Sequence, residues 1–159
     1  MTTAGPVVIV TGPPGSGKTT LARRLADGLA DEGERSVHLE SDWFFRWIRG
    51  GFVPPHLPES RHQNTTVIDL VADAAAGYAA AGSTVFWDGI VGPWFLDRAA
   101  GRLRERGVDV HYLVVRAERD TALARVTERD GTPDVSGAAV MWDQFADLGE
   151  LERHVIPGD

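Results

Sequence analysis

Cysteine is absent from this chain of 159 residues, and lysine occurs once, at position 18. Without thiols the protein can form neither disulfides nor thiolate metal sites, and it cannot use a cysteine nucleophile. No apolar run approaches the roughly 18 residues of a membrane span, and the first apolar segment begins too early for a signal peptide. We therefore expect a cytoplasmic protein that does not enter a membrane.

Positive charge is also scarce, because 16 basic residues face 23 acidic ones and the formal net charge is −7. A general nucleic-acid binder needs a basic face, so this balance argues against that class while leaving room for a local basic pocket. The length suits one compact domain with one core, which we expect to span residues 1–159. Nothing in the sequence decides between a monomer and a homodimer.

The single lysine belongs to the segment Gly12-Pro-Pro-Gly-Ser-Gly-Lys-Thr19, which follows the Walker A pattern G-x-x-x-x-G-K-T. Glycines allow the backbone N–H groups of such a loop to surround phosphate oxygens, and the helix that follows adds its positive dipole end. We expect the lysine to hold the β- and γ-phosphates and Thr19 to bind Mg²⁺. The predicted nucleotide-binding residues are Gly12, Pro14, Gly15, Ser16, Gly17, Lys18, Thr19 and Thr20.

Apolar β-branched runs alternate with segments of helical spacing along the whole chain. Such alternation predicts an α/β fold with a parallel sheet and helices on both faces. A covering helix is expected after the last strand, and the sequence stops before one. Predicted strands cover residues 7–10, 36–40, 84–87, 110–115 and 154–156, and predicted helices cover about 17–32, 42–49, 65–81, 93–106, 118–129 and 137–147.

Acidic residues follow two of these strands, with Asp42 after the second and Asp88 after the third. In parallel sheets ligands bind beyond the carboxyl ends of the strands, so both side chains should approach the phosphate loop. We expect Asp42 to orient the acceptor hydroxyl and accept its proton, and Asp88 to serve Mg²⁺ or the substrate. A helix N-cap role for Asp42 and a turn role for Asp88 are the alternatives, and the sequence does not decide which acid is the base.

Aromatic residues with a few polar neighbours occupy the segments where an acceptor would bind. Trp43 and Arg46 lie in the short predicted helix after Asp42, and Trp94 opens the helix after the third strand. Aromatic walls with few polar groups are typical of small-molecule pockets, and Arg46 or Arg49 could bind a carboxylate or phosphate of the acceptor. The residues at positions 43, 44, 47 and 48 have helical spacing and could equally belong to the core.

Three segments together resemble the small P-loop kinases of the gluconate kinase, shikimate kinase and chloramphenicol phosphotransferase group. The resemblance implies a P-loop NTPase fold with a five-stranded sheet ordered 2-3-1-4-5, ATP and Mg²⁺ as cofactors, and a lid at about residues 129–136. It also implies that Arg125 lies against the adenine or phosphates and that Arg129 reaches the phosphates from the lid. The three segments are residues 12–19, residues 39–42, and residues 122–129 with 144–148.

The resemblance does not extend to the acceptor. The lid is short and has no arginine between residues 130 and 136, and the glycine pair of shikimate kinases is absent. The sequence therefore predicts an ATP-dependent kinase that phosphorylates a hydroxyl of a small molecule, either a metabolite or an antibiotic. Two alternatives remain: a nucleotide-dependent binding module with weak ATPase activity, and a kinase of nucleic-acid ends, which the acidic net charge disfavours.

Overall fold

The computed structural model describes residues 2–158 and contains a five-stranded sheet with helices on both faces. Two 3₁₀ turns, Pro58–Ser60 and Gly149–His154, complete the regular structure. The strands are β1 (Val7–Thr11), β2 (Ser36–Glu40), β3 (Thr84–Asp88), β4 (Val110–Arg116) and β5 (Val155–Pro157). The helices are α1 (Lys18–Asp31), α2 (Ser41–Arg46), α3 (Arg61–Ala80), α4 (Pro93–Arg104), α5 (Arg119–Asp130) and α6 (Ser136–Gln144).

The strands are all parallel and follow the order β2-β3-β1-β4-β5, which confirms the predicted fold and strand order. The register places Asp88 at the end of β3 beside Val10 of β1 and Glu40 of β2. Because parallel strands end at one edge of the sheet, the segments after β1, β2 and β3 meet there.

Two apolar layers cover the sheet. On one face α1 packs its buried Ala22 and Ala26 against Val10, Phe86 and Val115 of three strands. On the opposite face α3 and α4 cover β1 and β3, and the fully buried Trp87 lies in this layer. Small alanines on the helices allow a close approach to β-branched strand residues, so the sheet is a rigid platform for the loops at its edge.

Helix α3 begins at Arg61, four residues earlier than the predicted 65–81. The 3₁₀ turn that starts at Pro58 leads directly into the helix, and the Ser60 hydroxyl donates to the carbonyl oxygens of Pro55 and Leu57 at 2.9 and 2.6 Å. Residues 61–66 have modest helix propensity, so their helical state depends on this preceding turn. No helix within residues 2–158 is long and apolar enough to cross a membrane.

Paired charges connect α3 and α4. Arg98 donates two hydrogen bonds to Asp69, both 2.7 Å long, and Arg102 binds Asp73 in the same two-pronged way at 2.7 and 2.8 Å. These bonds hold the pKa of each carboxyl below its usual value, mainly because the guanidinium donates to the ionised form. Two partly exposed ion pairs therefore connect α4 to α3.

Candidate active site

The phosphate loop connects β1 to α1 and has no room for side chains at two of its glycines. A Cβ on Gly12 would lie 2.0 Å from the Val115 carbonyl oxygen, and one on Gly15 would lie 2.1 Å from that of Ala122. Gly15 also has a φ of +76°, which few other residues adopt without strain. The loop is thus held against β4 and the start of α5.

Lys18 is the first residue of α1, and its Nζ lies 3.5 Å from the Pro13 carbonyl oxygen. Burial lowers the pKa of this ammonium, and the carboxylates of Asp88 and Asp42 act in the opposite direction. The charge of Lys18 therefore depends on anionic neighbours, and the phosphates of a nucleotide would provide more of them. The Ser16 hydroxyl oxygen is buried and has no hydrogen-bond partner among residues 2–158.

Asp88 is a buried carboxylate beside the phosphate loop, and only 4% of it is exposed. Its Oδ2 lies 3.0 Å from Nε2 of His38, which in turn lies 3.7 Å from Oε1 of Glu40. One candidate ligand atom from each of these three residues lies within 4.8 Å of the others. The carboxylate of Asp88 and the hydroxyl of the exposed residue Thr19 are hard oxygen donors of the kind that suits Mg²⁺, so the residues present fit this ion.

His38 was missing from the sequence-based site. Residues 38 and 40 are two positions apart in β2, so their side chains lie on the same face of the strand. The pairing of β2 with β3 places Asp88 beside them on that face. The period-two pattern in β2 carries this signal, but it identifies a shared site only when the neighbouring strand is known.

A cavity of about 790 Å³ lies beyond the strand ends, and most of the predicted acceptor and catalytic residues line it. Lys18 lines one part of it and Asp42, in the first turn of α2, lines another. The other lining residues come from the phosphate loop, α2, the 52–64 segment, α3, the segment between β3 and α4, the start of α4, the end of α5 and α6, so many separate parts of the chain enclose the space. From the predicted set, Pro14, Lys18, Asp42, Arg46, Trp94 and Arg129 line this cavity. The other predicted residues do not line it: Gly12, Gly15, Ser16, Gly17, Thr19, Thr20, Trp43, Asp88 and Arg125.

Ser41 fixes the start of α2 and hence the position of Asp42. The indole Nε1 of Trp87 donates a hydrogen bond of 2.7 Å to the Ser41 hydroxyl, and both residues are buried. Gly89 lies against the same serine, since a Cβ on it would come within 2.2 Å of the Ser41 oxygen. The predicted base is therefore anchored through its neighbour to the core of the sheet.

Trp94 forms one wall of the cavity and is 47% exposed. Its ring folds back over Gly92, where a Cβ would come within 2.2 Å of a ring carbon. The centre of the ring lies 5.6 Å from that of the buried Phe145, and the two ring planes meet at 70°. The indole is thus held by the backbone on one side and the core on another. The remaining surface of the ring is available to a planar ligand.

The two arginines of α5 have different surroundings. Arg125 donates to the carbonyl oxygens of Gly15 and Gly158, at 3.2 and 2.6 Å, and so braces the phosphate loop from behind. Arg129 lines the cavity and pairs with Asp130 at 2.8 Å, which raises the pKa of its guanidinium. Arg129 also contributes to the lowered pKa of Lys18, so its positive charge lies close to the phosphate loop.

The 52–64 segment supplies a wall of the cavity that the sequence outlined only in part. Gln63 holds this segment through two bonds to the backbone of Val53, at 2.9 and 2.8 Å. The Asn64 side chain donates to the Pro55 carbonyl and leaves its own oxygen buried and without a partner among residues 2–158. Sequence reasoning missed Arg61, which lines the cavity from the first turn of α3.

Two curated proteins are similar to this chain over part of its length. A shikimate kinase of Corynebacterium diphtheriae is 38% identical over 85 residues, which are 50% of this chain and 46% of that protein. CD-NTase-associated protein 6 of Pseudomonas aeruginosa is 36% identical over 108 residues, 66% of this chain and 32% of that protein. The chain thus spans less than half the length of either curated relative.

A solved structure matches almost the whole fold. The tunicamycin resistance protein of Deinococcus radiodurans superposes with a TM-score of 0.65 at 25% identity, over 96% of this chain and 86% of that one. The sequence profile of the AAA_33 family, described as an AAA domain, matches residues 7–147. The parallel sheet and the phosphate loop agree with this match. The chain therefore belongs to the AAA_33 family of P-loop domains and is related to small P-loop kinases.

Proposed function

We propose that this protein is a kinase that transfers the γ-phosphoryl group of ATP to a hydroxyl of a small molecule. The observation that carries the proposal is that Lys18 of the phosphate loop and Asp42 of α2 line one cavity. Phosphoryl transfer needs a cation at the phosphates and a group that orients the acceptor, both at the same point. The shikimate kinase relative and the family membership support the same chemistry.

Each residue has one task in this proposal. Lys18 and the loop N–H groups bind the phosphates. Asp42 accepts the proton of the acceptor hydroxyl while the hydroxyl oxygen forms a bond to the γ-phosphorus and the bond from that phosphorus to ADP breaks. Arg129 balances charge near the transferred group. When bound, Mg²⁺ would neutralise phosphate charge, and Thr19 and Asp88 would hold it directly or through water.

The experiment is to measure ADP release from Mg·ATP over a broad panel of hydroxylated compounds, with the phosphorylated product identified by mass. A compound that raises ADP release and gains a phosphate supports the proposal. We expect Lys18→Ala to lower this turnover by about a hundredfold or more. Unchanged turnover in Lys18→Ala would exclude the assigned phosphate site, and Arg24→Ala on the exposed face of α1 is the matched control.

The Asp42→Asn variant tests the proposed base. Asparagine keeps the size of the side chain but cannot accept the proton, so transfer should fall by about 10²–10⁴-fold while ATP affinity stays unchanged. Asp27→Asn, an exposed position in α1, serves as the control. Full transfer by Asp42→Asn would remove the base role from this residue.

The match to CD-NTase-associated protein 6 favours a second candidate, a nucleotide-binding module whose ATP state governs association with another protein. The same panel separates the two candidates. Slow hydrolysis that no acceptor accelerates, together with ATP-dependent association, would favour the module over the kinase.

A further inference from the structure

We infer that the acceptor has an apolar, ring-containing body with an anionic group at the end opposite the reacting hydroxyl. This inference rests on the proposed kinase function, because it assigns the 790 Å³ cavity beside Lys18 and Asp42 to the acceptor. The apolar walls of this cavity and the charged residues that line it together indicate the chemical class of the acceptor.

The walls of the cavity are largely apolar. Uncharged polar side chains such as Asn64 and Gln144 also line the cavity and can pair with a few hydroxyls. The hydroxyls of a polyhydroxylated acceptor that face the apolar side chains would have no partner, and each unpaired hydroxyl weakens binding. A ring system can instead lie on the exposed part of Trp94, which the backbone at Gly92 and the edge of Phe145 hold in place. The apolar side chains that line the cavity include Phe45, Ile68, Ile90, Trp94, Phe95 and Met141.

The charged residues that line the cavity are mostly cationic, and Asp42 is the one acidic side chain among the lining residues in the described part of the chain. Two of the cations have other tasks, since Lys18 belongs to the phosphate loop and Arg129 pairs with Asp130. Arg46 and Arg61 remain. Within residues 2–158 neither of these two has a carboxylate within 4.0 Å.

Arg46 is positioned before any ligand arrives. Its guanidinium carbon lies 5.1 Å from the centre of the Trp43 ring, and this cation–π contact restricts the side chain. A restricted guanidinium loses less freedom on binding an anion, so the contact favours recognition of a carboxylate or phosphate. Trp43 acts here on the orientation of Arg46 and does not line the cavity itself.

The spacing of Asp42 and Arg46 sets the length of the acceptor. Residues four apart on a helix share a face and are separated by about 6 Å along the axis. An acceptor whose hydroxyl meets Asp42 would therefore reach Arg46 with a group at least one ring away. Arg61 approaches the same cavity from α3 and offers a second guanidinium to that anion.

The test compares acids with neutral amides of the same shape. The probes are 6-(hydroxymethyl)-2-naphthoate and 4-(hydroxymethyl)benzoate, each paired with its carboxamide, and gluconate serves as the polyhydroxylated acid. Affinities are measured by calorimetry on the full chain without nucleotide, so that binding is read separately from transfer. Arg46→Gln and Arg61→Gln are compared with Arg49→Gln, an exposed arginine that does not line the cavity, and circular dichroism checks that each variant is folded.

We expect each aromatic acid to bind about tenfold or more tightly than its amide, and more tightly than gluconate. This preference should fall below about threefold in Arg46→Gln and Arg61→Gln and persist in Arg49→Gln. Equal affinity of acid and amide, tighter binding of gluconate, or no binding of either pair would overturn the inference.

The two proposals fail in different ways. A kinase that phosphorylates the amides as well as the acids would keep the proposed function and refute the anionic class. Acid-selective binding that depends on Arg46 and Arg61, with no transfer when Mg·ATP is added, would keep the binding class and count against the kinase.

Discussion

Replacing Trp87 by phenylalanine should destabilise the protein, mainly because a single buried hydrogen bond is lost. The indole of Trp87 is fully buried, and its N–H reaches the Ser41 hydroxyl at 2.7 Å. Phenylalanine would remove the donor and leave the hydroxyl, in a residue only 3% exposed, without this partner. The lost bond costs about 1–3 kcal/mol, and the small cavity adds about 1 kcal/mol.

The expected loss of about 2–4 kcal/mol corresponds to a fall in Tm of about 5–15 °C for a chain of this length. Urea unfolding followed by circular dichroism measures it without relying on tryptophan fluorescence. Trp47→Phe is the matched control, because this indole is 63% exposed and we expect a change within about 0.5 kcal/mol.

A double-mutant cycle measures the interaction energy between Trp87 and Ser41 directly. If the bond between Trp87 and Ser41 is responsible, Trp87→Phe with Ser41→Ala should cost at least about 1 kcal/mol less than the sum of the single changes. Costs that simply add, or a Trp87→Phe loss no greater than that of Trp47→Phe, would show that the hydrogen bond contributes little.

Two further predictions concern the cavity wall and the outer helices. Gly92→Ala should push the Trp94 ring aside and weaken binding of 6-(hydroxymethyl)-2-naphthoate by about tenfold, with ADP affinity unchanged; Gly101→Ala, where a Cβ meets nothing within 4 Å, is the control, and equal effects would refute the role of the ring. The pKa of Asp73 lies below its ordinary 3.8 because Arg102 donates to the ionised form, so the pair stabilises the protein above about pH 4 and this stability is lost as the pH falls through the folded-state pKa. Urea midpoints measured from pH 5 to pH 2 should therefore fall less steeply in Asp73→Asn, and an unchanged slope would contradict the assignment.

The sequence predicted the elements whose signals are local. The phosphate loop follows from one continuous motif, and the parallel sheet follows from alternating apolar runs. Asp42 was predicted because it lies two residues after the end of a strand, and the structure places it with Lys18 in the lining of one cavity. Its role as the base stays a prediction.

Features that depend on contacts between distant segments could not be predicted in the same way. His38 approaches Asp88 only because β2 pairs with β3 in one register. Arg61 reaches the cavity because α3 begins at the 3₁₀ turn, and the bond from Arg125 to Gly15 crosses 110 residues of sequence. The period-two pattern of β2 places His38 and Glu40 on one face but does not identify Asp88 as their neighbour, and no motif in the sequence indicates the other two contacts.

The division between the phosphate loop and the cavity wall has an evolutionary consequence. The loop admits no side chain at Gly12 and Gly15, because backbone atoms of β4 and α5 occupy the space that an added Cβ would need. The wall is built from side chains of several separate segments, and these side chains can be exchanged one at a time. Mutation can therefore explore new acceptors while the phosphate chemistry is inherited unchanged, and we expect divergence among related chains to concentrate in α2, the 52–64 segment and α6.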